Sequence, residues 1–134
     1  MTTHRASCAC GQLSVICEGA PVRTGVCHCF GCKRNTGSAF SFGATFREEQ
    51  VRVEGRASEW VRIGDEGGRG MRRCFCPVCG VTVWGVSLER PGFARVEAGC
   101  FADLDFPPPP TLSTYDDDRR YAWLELTCEP LERA

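Results

Sequence analysis

Three thiols and an imidazole fall within six residues at Cys27-His28-Cys29-Phe30-Gly31-Cys32. The run overlaps a C-x-C and a C-x-x-C spacing, and a turn this short aims three sulfurs at one point. Thiolates so placed are ligands for a tetrahedral metal, zinc above all. Two further knuckles flank the run. Cys8-Ala9-Cys10 precedes it, and Cys76-Pro77-Val78-Cys79-Gly80 follows it. Pro and Gly shape the second turn so that successive N–H groups point at the sulfurs. Two knuckles from distant segments supply a closed structural site on Cys8, Cys10, Cys76 and Cys79, and such a site staples a small fold. That pairing leaves Cys27, Cys29 and Cys32 as a second zinc site with its fourth position unfilled. Catalytic zinc commonly has three protein ligands and one open position. The expectation is two zinc ions per chain, the second filled at its fourth position by His28, Cys17, Cys74, Cys100, water or a substrate thiol.

His28 lies between two ligands. In an extended segment its side chain points away from the face Cys27 and Cys29 share. It then orients the site through a hydrogen bond, contacts substrate, or simply packs. Cys74 shares a strand face with Cys76 and is either a spare ligand or a packing residue. Cys17 sits on the apolar face of a strand and is expected in the core, since free Cys behaves as a small hydrophobe. Core is also the commoner fate for Cys100 and Cys128. Lys33, Arg34, Arg72 and Arg73 flank the clusters and are candidates to hold substrate carboxylates. Arg69, in a Gly-rich loop, is a candidate lid contact.

These knuckles need short elements to carry them. A chain of 134 residues suits one domain, residues 1–134. Gln12–Glu18 alternates Leu13, Val15 and Cys17 and reads as a half-buried strand. Val22–Val26 leads as a strand into the central cluster, and Lys33–Gly37 reads as a helical turn and loop. Ser38–Arg47 alternates Phe40, Phe42 and Phe46, with Gly43 marking a bulge or close approach of backbone. Gln50–Glu54 and Ala57–Ile63 are two strands with hairpin-like spacing around Gly55-Arg56. Gly64–Gly70 is a loop, and Met71–Phe75, Val81–Leu88 and Phe93–Cys100 are strands. Pro107–Pro110 removes donors and fixes φ, which makes a stiff surface connection. The tail from Thr111, with Tyr115, Tyr121, Trp123, Leu124 and Leu126, is expected to pack back onto the body. The fold class is mainly β, with small antiparallel sheets and little helix.

Eleven cysteines are an odd count, which fits disulfides poorly. The start, MTTHRASCACGQ, has no apolar segment of signal-peptide type. No apolar run approaches the roughly 20 residues that span a bilayer. A cytoplasmic metal protein without membrane contact is expected, as a monomer or weak homodimer. The formal net charge of −1 argues against a general nucleic-acid partner, which needs a basic face.

At these residues the chain resembles the glutathione-dependent formaldehyde-activating enzyme family, also called the Gfa or centromere-protein-V domain family. The resemblance runs over CACGQLSV (8–15), CHCFGCKRNTGSAFS (27–41), RRCFCPVCGVTVW (72–84), VEAGCFAD (96–103) and, more weakly, the Tyr/Trp tail. It implies a β-tent-like fold, a structural zinc on Cys8, Cys10, Cys76 and Cys79, and a second zinc on Cys27, Cys29 and Cys32. It also implies carbon–sulfur lyase chemistry, in which S-(hydroxymethyl)glutathione forms from, or reverts to, glutathione and formaldehyde. The partner would then be a small thiol such as glutathione. The alternative is a non-catalytic β-tent module that binds a protein partner.

Overall fold

The computed structural model describes residues 2–64, 68–127 and the backbone of 129–131. Cys128 and the middle of the Gly64–Gly70 loop lie outside the described residues. Eleven strands run through the described residues: β1 (Thr3–Ser7), β2 (Ser14–Glu18), β3 (Arg23–Cys27), β4 (Ser41–Arg47), β5 (Val51–Glu54), β6 (Ser58–Ile63), β7 (Gly70–Phe75), β8 (Thr82–Ser87), β9 (Phe93–Glu97), β10 (Leu112–Thr114) and β11 (Glu129–Leu131). The single α-helix among the described residues is α1 (Phe30–Thr36). It is too short to cross a membrane. The fold is mainly β, as expected.

Strands β1, β2 and β5 form a small antiparallel sheet in the order β1-β2-β5. The other eight form one larger sheet, β11-β10-β3-β4-β9-β8-β7-β6. Its centre is antiparallel, but β10 pairs parallel with both β3 and β11. A parallel neighbour requires a long crossover, and the proline-rich stretch 107–110 belongs to it. Thr24 Oγ1 donates to the Pro109 carbonyl at 2.9 Å, and Thr111 Oγ1 donates to the Thr24 carbonyl at 3.1 Å. The strand expected over Phe93–Cys100 ends at Glu97 and continues as a 3₁₀ turn, Ala98–Phe101.

The core lies between the sheets. Val15 and Cys17 come from the small sheet, with Leu13 just before β2; Ala44, Phe46, Val83 and Val96 join them from the large one, with Phe101 from the 3₁₀ turn after β9. Side chains alternate along a strand, so the neighbours Gly43, Thr45 and Arg95 point to the other face. A register shift between Cys74 and Phe75 resets the alternation on β8. Val83 and Trp84 both lie against the core, while Gly85 opens onto the far side.

The expected hairpin over 50–63 does not form. β5 pairs with β2 and β6 pairs with β7, so the two strands belong to different sheets. The reason is local. Gln12 Nε2 donates to the Arg56 carbonyl at 2.8 Å, and Arg56 N donates to Gln12 Oε1 at 3.0 Å. The chain is pinned where it leaves the small sheet. Gly55 sits at φ 95°, and a Cβ there would collide with the Gln12 carbonyl. Gly55→Ala is therefore expected to cost about 2–4 kcal/mol, combining a disfavoured φ with an overpacked backbone contact. A lowered urea midpoint at unchanged slope is the readout, and an unshifted midpoint counts against this pinning.

Candidate metal centre and substrate cavity

The first knuckle follows β1, and the third follows β7. Cys8 N donates to the Leu13 carbonyl at 2.9 Å and Cys76 N to the Val81 carbonyl at 2.9 Å, so each loop closes on itself. Further donors aim at the sulfurs. Leu13 N reaches Cys8 Sγ at 3.4 Å, Val78 N reaches Cys76 Sγ at 3.3 Å, and Gln12 Nε2 reaches Cys76 Sγ at 3.0 Å. Burial opposes charge on the Cys76 thiol, but hydrogen bonds from the Cys79 backbone, Gln12, Val78 N and Cys10 outweigh it and pull the group down to about 6. The sulfurs of Cys8, Cys10, Cys76 and Cys79 lie within 4.8 Å of one another. Cys8 Sγ is 3.6 Å from Cys10 Sγ, which is 3.7 Å from Cys76 Sγ. Four sulfurs 2.3 Å from a tetrahedral centre stand about 3.8 Å apart. These distances fit zinc and are far too long for a disulfide.

The central cluster sits where β3 meets α1. Cys27 ends β3, and Cys29 caps the helix, its Sγ accepting from Cys32 N at 3.3 Å. The C-x-x-C spacing is thus the spacing of an N-cap to the third helical residue, so the helix fixes two sulfurs together. The sulfurs of Cys27, Cys29 and Cys32 lie within 4.8 Å of one another, and among the described residues no fourth His, Cys, Asp or Glu ligand joins them. Hydrogen bonds from the Cys27 and Cys29 thiols, with Arg95 and Arg73 nearby, hold Cys32 well below the thiol range. Cys27 is pushed up by its hydrogen bonds with Cys29 and Cys32 and by burial. Three soft donors converging beside cations suit a thiophilic divalent metal.

A cavity of about 210 Å³ opens over the trio. Arg73 is 2% exposed, and its Nη2 lies 3.5 Å from Cys32 Sγ. Arg62 Nη2 lies 3.7 Å from Cys29 Sγ. Glu97 is buried between Arg73 at 3.7 Å and Arg95 at 3.6 Å, and desolvation raises its pKa against both arginines. Glycines make the room. Gly25, Gly43 and Glu97 form one rung across β3, β4 and β9; Thr45, Arg95, Gly85 and Arg73 form another across β4, β9, β8 and β7. A Cβ on Gly43 would strike the Arg95 guanidinium, and one on Gly31 that of Arg62. The close approach expected at Gly43 is therefore to a side chain, with no bulge.

Of the other predicted residues, Arg69 lines this cavity and pairs with Glu89 at 3.2 Å. Lys33 and Arg34 do not line it. Lys33 donates to the Arg119 carbonyl and lies 3.9 Å from the Tyr121 ring centre. Arg34 lines a neighbouring recess with Gly31 and Trp60. Arg72 points to Glu59 at 3.9 Å. Cys74 is buried apart from both sulfur clusters, and burial pushes it up to about 11. Cys17 is in the core and is pushed up to about 12 by the same cause. Cys100 packs against the core, and its thiol donates to the Thr82 carbonyl at 3.6 Å. Tyr115 packs into the trio, while Tyr121 and Trp123 stay largely exposed and stack on each other.

His28 is fully buried and does not line the cavity. Its backbone N donates to the Thr114 carbonyl at 2.9 Å, and Nε2 meets Ser113 Oγ at 3.0 Å. Ser113 in turn donates to Asp116 Oδ2 at 2.6 Å. The residue between the ligands thus ties the cysteine turn to β10. Ser113→Ala would leave the His28 ring and Asp116 short of a partner. The expected cost is about 2 kcal/mol, the scale of an orphaned buried polar group, measured as a fall in denaturant midpoint.

Sequence reasoning missed Arg23, Arg62, Arg90, Arg95 and Gln12. One signal existed: stepping back by twos from Cys27 along β3 reaches Gly25 and then Arg23, all on one face.

A search of curated proteins returned no match. The fold is similar to the crystal structure of a Rhodobacter sphaeroides protein, with a TM-score of 0.57 at 21% identity, covering 78% of this chain and 91% of that one. The family model described as glutathione-dependent formaldehyde-activating enzyme matches residues 3–118. With both cysteine clusters assembled inside that span, the chain belongs to the glutathione-dependent formaldehyde-activating enzyme family.

Proposed function

We propose that this protein is a zinc-dependent carbon–sulfur lyase-like enzyme that joins a small thiol to an aldehyde, or releases it, with S-(hydroxymethyl)glutathione-type chemistry. The observation that carries the reading is the Cys27, Cys29 and Cys32 trio opening onto an arginine-lined cavity, with no fourth ligand among the described residues. Cys8, Cys10, Cys76 and Cys79 hold a structural zinc. Cys27, Cys29 and Cys32 would hold a second zinc, whose open position would accept a substrate thiol and favour its thiolate form.

The chain's own residues bind and orient. Arg62 and Arg73, beside the sulfurs, present N–H groups to the aldehyde oxygen. As the sulfur attacks the carbonyl carbon, the C–S bond forms and the C=O electron pair moves onto oxygen. Fixed donors facing that charge lower the barrier. The oxygen then takes a proton from solvent entering the cavity, and reversal of these steps expels the thiol. Cavity arginines hold the carboxylates of the thiol, and Tyr115 walls the site. His28 positions the cysteine turn through Ser113.

The second reading, a zinc-scaffolded module that binds a protein partner, is favoured by one feature. Edge strand β6 exposes Trp60 (60%) and Ile63 (64%). Counting metal separates the readings. Zinc released by a thiol-reactive reagent and read with a chromophore should come to two per chain, one of them labile and protected by glutathione. Exchange NMR should show hydroxymethyl transfer between formaldehyde and glutathione above the uncatalysed rate. One zinc per chain, indifferent to thiols, sinks the enzyme reading.

A further inference from the structure

The large sheet ends at β6, and among the described residues nothing pairs with its outer side. The hydrogen bonds fix which backbone groups face outward. Gly64 N donates to the Arg69 carbonyl at 2.6 Å, so residue 64 turns its groups toward the segment that enters β7. Leu88 N donates to the Gly70 carbonyl at 3.0 Å, so Gly70 turns toward β8. Backbone groups alternate in direction along an antiparallel strand. Ser58, Trp60 and Arg62 therefore bond to β7, while Glu59, Val61 and Ile63 present theirs to the outside. The Ile63 carbonyl accordingly meets a side chain, Arg62 Nη1 at 3.3 Å.

This edge lacks the usual guards. Edge strands are ordinarily blunted by proline, lysine or a bulge. β6 has neither proline nor lysine, and it runs in unbroken register with β7 from Ser58 to Ile63. Glu59 and Arg62 cancel in charge, while Trp60, Val61 and Ile63 are exposed.

A second copy fits the edge by its own sequence. Copies related by a twofold axis lie antiparallel, and outward groups meet only outward groups, so odd residues pair with odd. Centring the axis on Glu59 sets two carboxylates against each other, and centring it on Arg62 sets two guanidiniums. Like charges directly opposite are destabilising. Centring on Trp60 leaves two hydrogen-bonded residue pairs within the strand, and centring on Ile63 leaves one. Centring on Val61 gives three: Glu59 with Ile63, Val61 with Val61, and Ile63 with Glu59. In that register Arg62 stands opposite Trp60 of the other copy in a non-hydrogen-bonded pair, where side chains approach closest. An arginine beside an indole is a favourable neighbour.

We propose that β6 pairs with β6 of a second copy, antiparallel about Val61, joining the two large sheets and setting Trp60 of each copy beside Arg62 of the other. Arg62 Nη2 is 3.7 Å from Cys29 Sγ. The interface thus braces an arginine of the cysteine site from outside. An edge of six residues is a small interface, so the dimer is weak and concentration-dependent. The pairing is independent of what the cysteine trio binds.

Sedimentation velocity on the zinc-loaded full chain should show the mass rising toward that of a dimer between micromolar and near-millimolar protein. Val61→Lys and Val61→Glu each put two like charges at the axis and should weaken the dimer at least tenfold. An equimolar mixture of the two should dimerise again, since opposite charges then meet. Val61 is 47% exposed, so each variant should keep the parent's melting temperature within a few degrees at micromolar concentration. Hydrogen exchange on the parent gives a reading that needs no variant. At high concentration the amides of Glu59, Val61 and Ile63 should gain protection, while those of Trp60 and Arg62, already paired with β7, should not change. A parent that stays monomeric overturns the pairing and leaves the edge to some other partner. A dimer indifferent to both substitutions, a mixture that stays monomeric, or protection gained without the alternation overturns this interface.

Discussion

Cys76→Ser is expected to abolish cooperative folding at ambient temperature. Cys76 is fully buried and belongs to the main core, along with Cys8. Its sulfur accepts from Val78 N and Gln12 Nε2, so the knuckle and the small sheet both close on it. A hydroxyl is a hard, neutral donor in place of a thiolate, and zinc at a four-sulfur site is not retained by the remaining three on equal terms. Structural zinc contributes about 10–16 kcal/mol of apparent binding free energy in small zinc modules. A domain of this size has only about 5–15 kcal/mol of total stability. Losing most of the metal term exceeds what remains. Far-UV circular dichroism without a thermal transition, together with loss of both zinc ions, is the outcome to look for. A protein that still melts cooperatively would show that the outer knuckles are not the staple.

Cys29→Ser is expected to behave in the opposite way: folded, with one zinc, and inactive. Cys29 caps α1, and serine is among the best N-cap residues, so the helix keeps its first hydrogen bond. Among the described residues the trio and Tyr115 form a small apolar cluster separate from the main core. Little hydrophobic burial is therefore at stake. What is lost is one of three soft ligands, and with it the second metal and the capture of thiol. Metal analysis should fall from two zinc ions to one per chain, with lyase activity at background and a melting temperature within a few degrees of the parent. Joint unfolding of Cys29→Ser and Cys76→Ser would erase the division between a structural and a reactive site.

The two cysteine clusters were legible in the sequence because each knuckle is local. A C-x-C or C-x-x-C spacing fixes its sulfurs within one turn, whatever the rest of the chain does. Strand positions were legible for the same reason, through alternation in β2 and β4. The cavity was not. Whether Arg95 faces Gly43 depends on β9 lying beside β4, and Arg73 meets Gly85 only because β7 pairs with β8. Strand order is a global property that no short window carries. The false hairpin over 50–63 has the same origin: the spacing suited one, but Gln12, 44 residues away, decides where the chain turns. Arg23 was reachable by counting back from Cys27, yet an arginine at a strand end is ordinarily solvated. Lys33 and Arg34 drew attention by proximity in sequence, while the helix carries them away from the thiols.

The two sulfur clusters sit on opposite faces of one large sheet, and this has a consequence for assembly. In the unfolded chain nothing distinguishes the knuckles. Cys10 and Cys76 are 66 residues apart, whereas Cys32 and Cys76 are separated by only 44. Loop-closure entropy separates those pairings by about 0.4 kcal/mol, in favour of the shorter, wrong one. Seven competing thiolates can therefore chelate zinc in mismatched sets before any strand has paired. What sorts them is the sheet itself, a partition through which the wrong sulfurs cannot meet. Metal fidelity would then follow from folding order, and refolding in a large excess of zinc should be slower than refolding with two equivalents per chain.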